Sequence, residues 1–103
     1  MVNIAVLVSG GGLYENVPRM LPEGVKAVIQ ASSFPVPPIF DLIAQRGNIP
    51  RRDMYNTFNM GVGLVMAVAK EDAGEVMELL VRSGERPYLI GKCVAGEKGV
   101  ELW

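Results

Sequence analysis

The sequence predicts an α+β fold, an α/β sandwich with helices mainly on one face of a mixed sheet. Three observations predict it. Apolar runs of strand length recur at 2–8, 25–29, 64–68, 88–95 and 100–103. Between them lie stretches with helical spacing and helix-ending residues. Half of the 103 residues are hydrophobic and the mean hydropathy is +0.26, enough to bury a real core. The order reads β-α-β-α-β-α-β-β, as a single domain over residues 1–103.

The run Val2 to Val8 is β-branched and nearly continuous, the pattern of a strand buried on both faces. Ser9-Gly10-Gly11-Gly12 follows. Asn16 then suits a helix N-cap, and Pro18 is tolerated in the first turn of a helix to Leu21. Val25–Ile29 reads as a second strand. Pro35, Pro37 and Pro38 break the chain, and Pro38 opens a helix to Arg46, capped by Gly47-Asn48. In it Ile39 pairs with Ile43 and Phe40 with Ala44. Residues 49–53 read as a polar connection. Met54–Asn59 mixes large apolar and small polar residues. Gly61 and Gly63 suggest a bulge before a buried strand at Leu64–Val68. Lys70-Glu71-Asp72 opens a helix over Ala73–Ser83, with Val76, Met77, Leu80 and Val81 as its apolar stripe and Gly84 beyond it. Tyr88–Ala95 and Val100–Trp103 read as a hairpin around Gly96–Gly99. Trp103 is expected to cover an open edge of the core.

Charge and composition exclude several function classes. Ten basic and 11 acidic residues give a net charge of −1, with no footprint for nucleic acid or an anionic membrane. No apolar run approaches the roughly 20 residues of a membrane helix. The N-terminus reads as a strand rather than a secretory leader. One cysteine and no histidine leave no internal disulfide, no common general base and a poor ligand set for zinc, and they predict a cytoplasmic setting. Cys93 is expected to be a small buried hydrophobe. No catalytic or metal-ligating residue is expected.

The strand–glycine–helix arrangement around residues 9–12 can present backbone N–H groups to an anion. The competing reading is a tight turn that needs glycine for its backbone alone. The turn is neither a Walker loop nor a complete dinucleotide fingerprint. Glu15 and Asn16 could offer a carboxylate and an amide to a ligand, or only favour the helix start. Thr57, Asn59, Gly61 and Gly63 could line a cleft, or form a bulged strand. Arg51, Arg52 and Asp53 read as a solvated loop, although an arginine pair can clamp a phosphate. The candidate binding set is therefore Ser9, Gly10, Gly11, Gly12, Glu15, Asn16, Thr57, Asn59 and Gly61.

Three segments carry a family resemblance: Gly10-Gly11-Gly12-Leu13-Tyr14-Glu15-Asn16-Val17-Pro18-Arg19, then Pro38-Ile39-Phe40, then the run from Met54 through Phe58 and Met60 to Gly63. With Gly84-Glu85 and Ile90-Gly91 they closely resemble the C-terminal part of the phosphoribosylformylglycinamidine cyclo-ligases (aminoimidazole ribonucleotide synthetases). These are ATP-dependent ring-closing enzymes of purine biosynthesis. The resemblance implies a truncated C-terminal-type domain, inactive alone, whose full-length relatives use ATP and Mg²⁺ on an N-terminal domain. No cofactor is expected for this chain by itself. The implied partner is a phosphorylated small molecule, a phosphoribosyl substrate or ATP.

Residues 1–9 depart from that pattern, which typically has Ala-His-Ile-Thr before the glycines. Met1 to Gly12 instead resembles the start of phosphoribosylglycinamide formyltransferases, whose first strand runs into a phosphate-binding glycine loop. Leu13-Tyr14 replaces that loop's usual continuation, and the histidine of its chemistry is absent. Formyl transfer is therefore not expected. The reading is a substituted first strand, joined at the shared glycines. The alternative is a phosphate- or nucleotide-binding module without catalysis. Few elements are available to cover the first strand, which predicts homo-oligomerisation through an uncovered face or edge.

Overall fold

The computed structural model describes residues 2–103, with side chains from Ala5 onward. Its elements are β1 (Val2–Leu7), α1 (Gly12–Asn16), β2 (Val25–Ile29), α2 (Pro38–Gly47), α3 (Arg51–Thr57), β3 (Leu64–Val68), α4 (Ala73–Arg82), β4 (Gly91–Ala95) and β5 (Gly99–Leu102). Short 3₁₀ turns follow α1 and precede α2 and α4, at Val17–Met20, Ala31–Ser33 and Lys70–Asp72. The α+β class expected from the sequence is the class observed.

Where the apolar pattern is local and strong, the expected boundaries hold. β2 and β3 fall on the expected residues, and α2 starts at Pro38. Pro38 has no N–H to lose at a helix start, and its φ is already set. α2 ends with Asn48 in the left-handed region at φ 51°, donating its N–H to the Ala44 and Gln45 carbonyls.

Four expectations are corrected. First, the sheet is divided in two: β1 pairs with β3 antiparallel, and β4-β2-β5 forms a separate three-stranded sheet. Second, β4 and β5 are not a hairpin, because β2 lies between them, antiparallel to β4 and parallel to β5. The Gly96 N–H donates to the Gly24 carbonyl, so the connection passes around the start of β2. Third, the helix expected to start at Asn16 begins four residues earlier. Gly11 stands at its N-cap with φ 97°, and the α-helix gives way to a 3₁₀ turn at Val17, one residue before Pro18. Pro18 lacks the N–H that would continue the α ladder, and its ring crowds the preceding turn. Fourth, residues 51–57 form a helix, not a polar connection leading into a strand. Pro50 precedes it, and its carbonyl accepts the Met54 N–H at 3.1 Å. Met54 and Tyr55 form its buried side.

Burial corrects four further readings. β1 is covered on one face only: Val8 is buried, whereas Leu7 is 71% exposed. Cys93 is exposed on β4, because that strand is an edge of its sheet. The Trp103 ring is largely exposed and covers no core edge. Its backbone extends the sheet instead, donating to the Ile29 carbonyl at 2.9 Å and accepting from Ala31 N–H at 2.8 Å. On α4, Val76 is buried but Val81 is exposed, so the apolar stripe is narrower than expected.

The core gathers around α1. Leu13 and Val17, four residues apart, are fully buried together with Ile29, and Met20, Phe34, Met54, Tyr55, Met60 and Val65 close around them. Truncating Leu13 to alanine leaves a cavity that rigid neighbours cannot fill. The expected loss is about 2–5 kcal/mol, read as a lower urea midpoint at unchanged slope.

Candidate functional site

The site is built on the turn between β1 and α1. Val8, the last buried residue after β1, donates its N–H to the Gly63 carbonyl at 2.9 Å. That bond fixes the chain where it leaves the sheet. Ser9 and Gly10 are exposed, and the Gly12 N–H turns back to the Ser9 carbonyl at 3.1 Å.

The three glycines have different reasons to be glycine. Gly11 and Gly12 have φ of 97° and 61°, where a β-carbon is strained. Gly12 also lies against the C-terminal end of α3. A β-carbon there would meet the Phe58 carbonyl oxygen at 2.6 Å and the Tyr55 carbonyl oxygen closer still. Gly10 is outside the left-handed region and a β-carbon on it would meet nothing within 4 Å. The fold therefore requires glycine at 11 and 12 but not at 10. A ligand that must approach the backbone closely would require it at 10.

Asn16 is fully buried beneath this turn. Its Nδ2 donates to the carbonyls of Gly12 at 2.8 Å, Gly10 at 3.2 Å and Ser9 at 3.4 Å. One side chain thus ties three successive parts of the turn together, and it orients their carbonyls inward. Its role is to hold the turn from inside the protein, and it does not cap the helix start. Its Oδ1 is buried with no hydrogen-bond partner among the described residues.

Glu15 lies over the outer side of the turn. A β-carbon on Gly11 would meet its Cδ at 2.9 Å and its Oε2 at 3.0 Å. The carboxylate therefore occupies the space above Gly11, in the first turn of α1, where the helix end favours negative charge.

The structure brings the second candidate segment to the same place in part. The C-terminal turn of α3 packs on Gly12, so exposed Thr57 belongs to the turn beside it. Asn59 lies beyond that turn. Its Oδ1 accepts the Gly61 N–H at 2.8 Å, closing an Asx turn that supports Met60 at φ 54°. Gly61 has φ 94°, and a β-carbon on it would meet Pro37 Cδ at 2.6 Å. Gly61 is thus explained by packing of this loop on the proline segment; no bulge is formed.

Two residues underrated in the sequence lie on α3, the helix that packs on α1. Arg52 of α3 stacks over Tyr14 of α1 with its guanidinium carbon 4.1 Å from the ring centroid, and Arg51 lies 5.3 Å from the Tyr55 centroid. The Arg51/Tyr55 spacing of four was the available signal for a helix here. A cavity of about 310 Å³ opens between α2 and α3, with Met54, Met60, Ala44 and Ile49 in its lining and Asp41 and Arg51 as its charged groups. Among the described residues no group of three or more His, Cys, Asp or Glu side chains gathers, and no helix is long and apolar enough to cross a membrane.

Comparison with known proteins bears on the whole domain. The family model described as AIR synthase related protein, C-terminal domain, matches residues 1–103, including the stretch before the glycines. A phosphoribosylformylglycinamidine cyclo-ligase of Lachnospira eligens is 61% identical over 95 residues, covering 92% of this chain and 28% of the relative. One of Brevibacillus brevis is 54% identical over 99 residues, covering 96% and 29%. The chain thus spans less than a third of the length of these curated relatives. Among solved structures, a thiamine-monophosphate kinase from Stenotrophomonas maltophilia superposes with a TM-score of 0.69 at 20% identity, over 98% of this chain and 31% of that one. That likeness concerns the fold.

Proposed function

This chain belongs to the AIR synthase related proteins, as a C-terminal domain, and from that membership we propose that it is the C-terminal-domain part of a cyclo-ligase of purine biosynthesis. In this reading it closes no ring alone and binds the phosphate of a phosphorylated small molecule at the turn Ser9–Gly12. The 61% identity to a curated cyclo-ligase supports the assignment. The observation that carries the phosphate site is Gly10, which is exposed and which no strain or contact in the fold obliges to be glycine.

The turn has a phosphate-facing side and a packing side. Against α3, Gly12 meets carbonyl oxygens, which repel an anion. An anion therefore approaches over Ser9, Gly10 and Gly11. Glu15 already places a carboxylate there and competes with it. At roughly 4 Å, with the full screening of bulk water, such a like charge costs on the order of 1 kcal/mol. Glu15→Gln should thus tighten binding of inorganic phosphate about fivefold. Gly10→Ala should abolish that binding while moving the melting temperature little. Titration calorimetry with inorganic phosphate and with a phosphoribosyl ligand checks both variants. Equal phosphate affinity in wild type and Gly10→Ala would sink the site.

Among the described residues no group of three or more His, Cys, Asp or Glu side chains gathers that could cage Mg²⁺ by itself, so the ATP and Mg²⁺ of the full-length reaction are assigned no site on this chain. No step is derived through either group on this chain. Ring closure is expected only when the rest of a cyclo-ligase is supplied in trans, and a coupled assay with that addition tests it. Val2–Leu7 serves as β1 of the same domain. Formyl transfer has no support in a family match that runs through them, on a chain without histidine. A cytoplasmic location and self-association complete the reading.

A further inference from the structure

We draw no further inference here: the strongest candidate, the exposed apolar outer face of β1 and β3 around Leu7 and Leu64, carries none, because the chain spans less than a third of its curated relatives' length and nothing in the structure shows what covers that face.

Discussion

Gly12→Ala is expected to be among the most damaging single methyl groups that can be added to this domain. Gly12 combines a φ of 61° with a carbonyl oxygen of α3 at 2.6 Å from any β-carbon, and a second one closer. The left-handed backbone alone costs on the order of 1–2 kcal/mol for alanine. The clash cannot be relieved by rotating a side chain, because both obstacles are backbone. Either α1 moves off α3, opening the core around Leu13 and Met54, or the turn rearranges and loses its Asn16 bonds. The expected loss is about 4 kcal/mol or more, which for a domain of this size lowers the melting temperature by tens of degrees or prevents folding. Gly10→Ala two positions away is the control, expected to stay within about 0.5 kcal/mol of wild type. Thermal melts of the two variants side by side check the contrast; equal effects would contradict it.

The second large effect is expected at Asn16, where the isosteric change to aspartate reverses the chemistry. The amide donates to three carbonyls from a fully buried position. A carboxylate of the same shape donates to none of them and brings a charge into a pocket of carbonyl oxygens. Asn16→Asp should cost about 3–5 kcal/mol at neutral pH, the range for an unpaired buried charge. Burial and the facing carbonyls raise the folded-state pKa of the new carboxyl above its unfolded value. Its neutral form is then the tolerated one. The variant should therefore be most stable below the unfolded pKa and lose that stability as pH rises through the folded one. Melting temperatures from acid to neutral pH, set against wild type, check this. A deficit constant with pH would show that the charge is not the cause.

Asn16 also shows what a sequence can and cannot disclose. Asparagine is a favoured N-cap, so placing it at a helix start was the sound local inference. The helix instead starts where Gly11 turns left-handed, and Asn16 ends up beneath the turn. That outcome depends on α3 pressing against Gly12, a contact between residues far apart in the chain. The elements with unbroken local patterns, β2, β3, α2 and α4, were legible with their boundaries almost complete. α3 was not, because Arg51-Arg52-Asp53 gives its first turn a loop-like composition and only Met54 and Tyr55 are buried along it. Strand partners were not legible either. The turn around Gly96–Gly99 looks like a hairpin locally, and nothing nearby says that β2 will occupy the gap. Of the candidate residues, Ser9 to Gly12, Glu15 and Asn16 share one turn with Thr57 beside it, whereas Asn59 and Gly61 belong to the loop that packs on the proline segment. The division of labour within that turn was not legible: the roles of Gly10, Gly12 and Asn16 differ only through what each one touches.

The position of β2 between β4 and β5 sets an order of events. As the chain is synthesised, β2 is complete at Ile29, yet both of its neighbours are encoded after residue 90. Until they arrive, its hydrogen-bonding groups face water on both sides. Closing so long a loop is slow compared with forming local helices such as α1. The nascent chain thus carries an unfinished, apolar strand until residues beyond 90 have been added. During that interval, rather than in the finished domain, β2 is the segment most open to chaperones and to mispairing with neighbouring chains.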